Sequence, residues 1–214
     1  MTRSAVWSGV RALLVAAAGG GVALFATFSC GSVPDSSRYT VILQPDYDTY
    51  KTHVDDYLRR RCGTLDCHGQ PGRAYRIYGR EGFRLYNEDA DLVSGFQPTT
   101  EAETRANFQA AVGLEPEEMS RVVASQGADP KKLLLLRKPL QLEYAPGHKE
   151  RHKGGEAMGP GDRGYECVEA WLRVPVFRLV EGPDGLVPEP IPPGERPKMS
   201  DAAINACREA AGYP

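Results

Sequence analysis

The 214-residue chain has no basic run longer than Arg59-Arg60-Arg61, and its formal net charge is −2. A surface that tracks phosphates needs many cations on one face, so the composition argues against a nucleic-acid partner. Also missing are a phosphate loop, a Ser-His-Asp grouping, a paired metal-ligand motif on a helix and a carboxylate pair at an informative spacing. Catalysis independent of a cofactor therefore has no support, and an enzyme is the least favoured reading. Its length suits one globular domain with embellishments and is too short for a multidomain enzyme. Proline is unevenly spread: eight of the 17 fall from Pro175 to Pro214, which predicts that the last forty residues contribute little to a packed core.

What is present begins with an export signal in form. Residues 1–29 carry Arg3 and Arg11, no acid, and an uncharged run from Ala12 through Ser29 that ends at Cys30-Gly31. FATFSC partly resembles a bacterial lipobox, with Thr27 where leucine is usual and a bulky Phe28. The reading favoured here is lipidation of Cys30, followed by a polar tether from 30 to 45. Ordinary secretion and a retained membrane span of about twenty residues are the alternatives. All three place the remainder outside the cytoplasm, facing the periplasm or cell surface, where thiols become disulfides, lipid anchors or cofactor links.

Five cysteines occur, at 30, 62, 67, 167 and 207. The stretch RCGTLDCHG at 61–69 sets Cys62 and Cys67 beside His68. Covalent haem needs two thiols to add across two vinyl groups and an imidazole directly after the second thiol to reach iron. Cys67-His68 supplies that adjacency. Four residues separate the thiols instead of the usual two, a wider loop that some c-type cytochromes use. Two other readings exist: a Cys62–Cys67 disulfide in a haemless interaction domain, and a zinc site, for which no second closely spaced cysteine pair is available.

Periodicity supplies the context. Tyr47, Tyr50, Val54, Tyr57 and Leu58 predict an amphipathic helix over about 46–60 that leads straight into the cysteines. Tyr165, Val168, Trp171 and Leu172 predict a short helix over 164–173, stopped by Pro175. Thr99 or Thr100 ahead of Glu103 reads as a capping box, and 115–125 as another helix. Asp129-Pro130 reads as a helix start before Leu133 to Leu136.

From Tyr47 to Arg173 the chain resembles a planctomycete-type cytochrome c domain. The resemblance is carried by RCGTLDCHG at 61–69, RIYGREGFRLY at 76–86, DPKKLLLLRKP at 129–139, HKGGE at 152–156 and GYECVEAWL at 164–172, in that order. It implies an all-α, single-haem fold over 46–173 that carries electrons to a redox protein partner, with haem c as cofactor and a proline-rich tail over 174–214. It also implies that Cys62 and Cys67 form the thioethers and His68 the proximal iron ligand. For the distal ligand, His152 ranks first, because the glycines of H-K-G-G allow backbone to approach a porphyrin and the resembling domains place their histidine there. Met158 and His148 are the alternatives, and His53 falls on the first helix facing solvent. Arg73, Arg76, Arg80 and Arg84 follow the haem motif, where a guanidinium suits a haem propionate, with a solvated basic face as the equal alternative. With Cys30 lipidated and two thiols on haem, Cys167 and Cys207 remain to form a disulfide. That link would anchor a terminal helix over 200–211, with Ser200 as its cap.

Overall fold

The computed structural model describes residues 42–86, 95–140, 152–183 and 185–213. Helix α1 runs without a break through an α-helical turn (Tyr47–Thr49), a π-helical stretch (Tyr50–Val54) and a second α-helical segment (Asp55–Cys62). Asp46 starts it by accepting the Thr49 N–H at 2.6 Å. Gly63 ends it, its N–H returning to the Leu58 and Arg59 carbonyls. Tyr50, Val54, Tyr57 and Leu58 form its buried face.

Helix α2 (Glu101–Gly113) opens with the expected capping box, placed on Thr100 and Glu103. Helix α3 (Pro116–Ala124) carries proline in its first turn, and α4 (Leu134–Arg137) follows a single 3-10 turn, Pro130–Lys132. Helix α5 (Arg163–Leu172) returns across α1. Trp171, fully buried, donates its indole N–H to the Asp46 carbonyl at 2.8 Å. Its ring centroid lies 5.1 Å from that of Tyr50 and 6.3 Å from that of Phe108. The two helices meet closely because residue 164 is glycine: a Cβ there would fall 2.0 Å from the Tyr57 hydroxyl oxygen.

The all-α expectation is wrong for the tail. Phe177–Gly182 (β1) and Gly185–Pro190 (β2) form a two-stranded antiparallel sheet, so the fold mixes helix with a β-hairpin. Proline abundance by itself disfavours a strand, whereas the proline register here permits one. Ile191 donates its N–H to the Val176 carbonyl at 2.9 Å. Alternation from that pair makes Arg178–Glu189, Val180–Val187 and Gly182–Gly185 the hydrogen-bonded positions. Pro188 and Pro190 stand opposite Leu179 and Phe177, at the intervening positions, where a backbone N–H would point away from the partner strand.

The tail also joins the core, contrary to the expectation from its composition. Val174, Val176, Met199, Cys207 and Ala211 belong to the same buried cluster as Tyr50, Phe108, Leu136 and Trp171. Helix α6 (Asp201–Ala210), capped by Ser200, is tied to α5 by the expected Cys167–Cys207 disulfide. Arg196 pairs with Asp46 at 2.6 Å, and Arg60 lies 4.6 Å from the Tyr213 ring centroid. No helix among the described residues is long and apolar enough to cross a membrane. The 1–29 segment and the Cys30 assignment lie outside the described residues.

Candidate functional site

The loop that follows Cys62 is held by close backbone packing at its glycines. Cβ atoms at Gly69 and Gly82 would sit 1.9 and 2.0 Å from the Gly63 carbonyl oxygen, so three glycines let the chain fold back on the end of α1. His68 donates its N–H to the Cys62 carbonyl at 2.8 Å, and Ile77 donates to the His68 carbonyl at 3.0 Å. Farther along the loop, Asn107 of α2 grips Tyr78 through both its backbone N–H (2.7 Å) and its carbonyl (2.8 Å). Arg84 forms a two-pronged pair with the buried Glu103, at 2.7 and 2.9 Å. The loop bearing the motif is thereby fastened to two helices.

Within it, His68 and Tyr75 are coupled: His68 Nδ1 lies 2.8 Å from the Tyr75 carbonyl oxygen, and the two rings are 5.0 Å apart. A carbonyl only accepts, so Nδ1 carries the proton and Nε2 keeps its lone pair for a metal. Burial lowers the His68 pKa against the opposing Tyr75 hydrogen bond, and the nearby His152, Arg73 and Lys138 push the same way as burial. The imidazole is accordingly neutral at neutral pH.

His152 comes to the same place from 84 positions later in the sequence. Its ring centroid is 5.9 Å from that of His68, with 28° between the planes. Its Nδ1 lies 2.8 Å from the Gly155 carbonyl oxygen, inside a turn closed by the Gly155 N–H on the His152 carbonyl at 3.0 Å. Gly155 takes a φ of +86°, a conformation that side chains other than glycine's strain to reach. The second glycine of H-K-G-G thus shapes the turn that presents the imidazole, where the sequence suggested close approach to a porphyrin. The turn is held by Ala157 and Met158, whose N–H groups both donate to the Pro139 carbonyl.

Among the described residues Cys62 and Cys67 are the free cysteines, both half-buried. Burial, reinforced by the neighbouring Cys67, pushes the Cys62 thiol up to about 11, so it is protonated at neutral pH. Of the distal candidates, the structure brings His152 to His68; Met158 is buried in the core cluster, and His148 lies outside the described residues. His53, expected to face solvent, is half-buried beside the tail, in a cavity it lines with Asp48, Arg196 and Met199. No group of three or more metal-binding side chains is present among the described residues.

The donor set fits a covalently held haem: two unpaired thiols, an imidazole following the second, and another imidazole facing the first, each with Nδ1 tied to a carbonyl and Nε2 left available. Sequence reasoning missed the Tyr75 and Gly155 carbonyls, because a backbone oxygen has no residue signature. Comparison with known proteins yields no matching family model, no matching curated protein and no matching solved structure.

Proposed function

We propose that this chain is a monohaem c-type cytochrome that carries electrons outside the cytoplasm, held at a membrane by lipid on Cys30. The observation that supports this most is the meeting of His68 and His152 beside two free thiols, with both imidazoles oriented by carbonyls. Cys62 and Cys67 would hold the porphyrin through thioethers, and His68 and His152 would be the ligands to its iron. Bound there, haem supplies a one-electron couple.

The chain's own residues do the rest. The Tyr75 and Gly155 carbonyls hold the Nδ1 protons and keep each ring in one tautomer. The Gly63, Gly69 and Gly82 packing keeps the His68 loop from shifting as charge changes. Two imidazoles place the potential below that of a centre with one thioether ligand, since methionine ligation raises it.

The test is a haem-peroxidase stain of the denatured full chain, expressed with a haem-attachment system, alongside Cys62→Ala and Cys67→Ala. Wild type should retain haem through denaturation, and the double variant should lose it. A near-infrared spectrum of the oxidised protein should lack a sulfur-to-iron band, and its presence would remove His152 as the distal ligand. A colourless protein with Cys62 joined to Cys67 refutes the reading and leaves a haemless interaction domain.

A further inference from the structure

Half-buried arginines in this protein are almost all neutralised. Among the described residues Arg59 pairs with Asp55, Asp56 and Glu81, Arg84 with Glu103, Arg121 with Glu118, Arg137 with Glu115 and Arg196 with Asp46. The exceptions are Arg73 and Arg76, which pair with no carboxylate among the described residues. Lys138, also half-buried, is a third such cation. Partial burial without a counter-ion is unfavourable, so three such charges in one place need a reason.

They do share one place. Arg73 donates its Nε–H to the Cys67 carbonyl at 3.0 Å, which fixes it beside the motif. Arg76 adjoins Tyr75, whose carbonyl orients His68. Its terminal nitrogens donate to the Pro71 carbonyl and the Tyr78 hydroxyl, yet its buried Nε–H has no acceptor. Lys138 immediately precedes Pro139, whose carbonyl holds the turn that carries His152. The Tyr75 hydroxyl, buried nearby, also lacks a partner.

We infer that Arg73, Arg76 and Lys138 form a carboxylate-binding clamp beside the His68–His152 pair, and that the carboxylates it takes are the two propionates of the porphyrin. This rests on the haem reading above. A guanidinium offers paired N–H donors to a planar carboxylate, and the idle Arg76 Nε–H is one such donor already withdrawn from water. The other arginines of this stretch are differently placed: Arg84 is engaged by Glu103, and Arg80 is exposed.

The experiment uses the haem-loaded full chain and the variants Arg73→Gln, Arg76→Gln and Lys138→Gln. Arg80→Gln serves as a control that removes the same charge from an exposed position. Haem content is read by stain and reduction potential by protein-film voltammetry at low and high salt. Removing a cation from the clamp disfavours the more negative, reduced centre, so the potential should fall. The expected fall corresponds to about a threefold change in the one-electron equilibrium, about 30 mV, and persists in high salt. Arg80→Gln should move it by less than a third of that, and Arg76→Lys, which keeps the charge, should recover more than half. Equal shifts in all four glutamine variants, vanishing in salt, would overturn the clamp. Unchanged potentials with slower, salt-dependent reduction by an acidic redox protein would overturn the assignment to propionates and move the carboxylates to that partner. Wild type without haem would instead sink the functional reading itself.

Discussion

Asp46 offers the sharpest test of how the tail is held. One residue performs three tasks: its carboxylate caps α1 at Thr49, the same carboxylate pairs with Arg196 of the tail, and its carbonyl accepts from Trp171 of α5. Replacing it with alanine leaves the carbonyl and removes the other two. Loss of the cap costs about 1 kcal/mol. Breaking a buried pair costs about 3–5 kcal/mol, but the Arg196 side chain is 20% exposed against 4% for Asp46, so water relieves the stranded guanidinium and about 2 kcal/mol is the better figure. Asp46→Ala should therefore lose about 3 kcal/mol in denaturant unfolding, with Tm lower by about 6–12 °C. Asp46→Asn, which keeps an oxygen for Thr49, should lose about half as much.

Acidity supplies an independent check. Burial raises the Asp46 pKa, but hydrogen bonds from Arg196 and Thr49 outweigh it and hold the carboxyl below its ordinary value. A depressed folded pKa means that the ionised form stabilises the fold, fully so above the unfolded pKa, and that this contribution is lost as pH falls through the folded value. The stability gap between wild type and Asp46→Asn should hold steady from about pH 7 to about pH 5 and close below about pH 4. An Asp46→Ala protein within about 0.5 kcal/mol of wild type, or a gap that widens on acidification, would refute this account of the hub.

Other elements make their own predictions. The disulfide closes a segment with a sequence separation of 40, for which chain entropy gives about 4 kcal/mol; a Cys167→Ala/Cys207→Ala chain that unfolds within about 1 kcal/mol of wild type would show the tail to be held by packing alone. In the hairpin, Val187→Pro should abolish amide protection around Val180, because position 187 is a hydrogen-bonded one, whereas Pro188→Ala should leave protection and Tm nearly unchanged. Equal effects from the two substitutions would mean that the register is wrong.

Much of the helical frame is legible along the chain because its signals are local. Asp46, Thr100 with Glu103, and Ser200 cap helices at the positions their chemistry favours, and α1, α3 and α5 carry their apolar residues at helical spacing. The hairpin escapes that reading, since proline abundance says nothing of which edge each proline occupies. Even so, the alternation of Arg178, Val180 and Gly182 against Glu189, Val187 and Gly185 lies in the residues once a partner strand is supplied.

The residues in order suffice to pick out the groups on which the proposal rests, namely two thiols, the imidazole after the second and a short set of candidates to face it, as well as the Cys167–Cys207 disulfide left over by cysteine accounting. Reach is another matter. His152 meets His68 because the His152–Gly155 turn is fastened to Pro139 and the motif loop to α2, through contacts between segments remote in sequence. The same holds for the cations: all the arginines look alike in the chain, and only folding gives Arg84 to Glu103 while leaving Arg73 and Arg76 half-buried with no acid paired to them among the described residues. Local chemistry sets which groups can react or cap, whereas distance, burial and the choice of partner arise only when distant segments pack together.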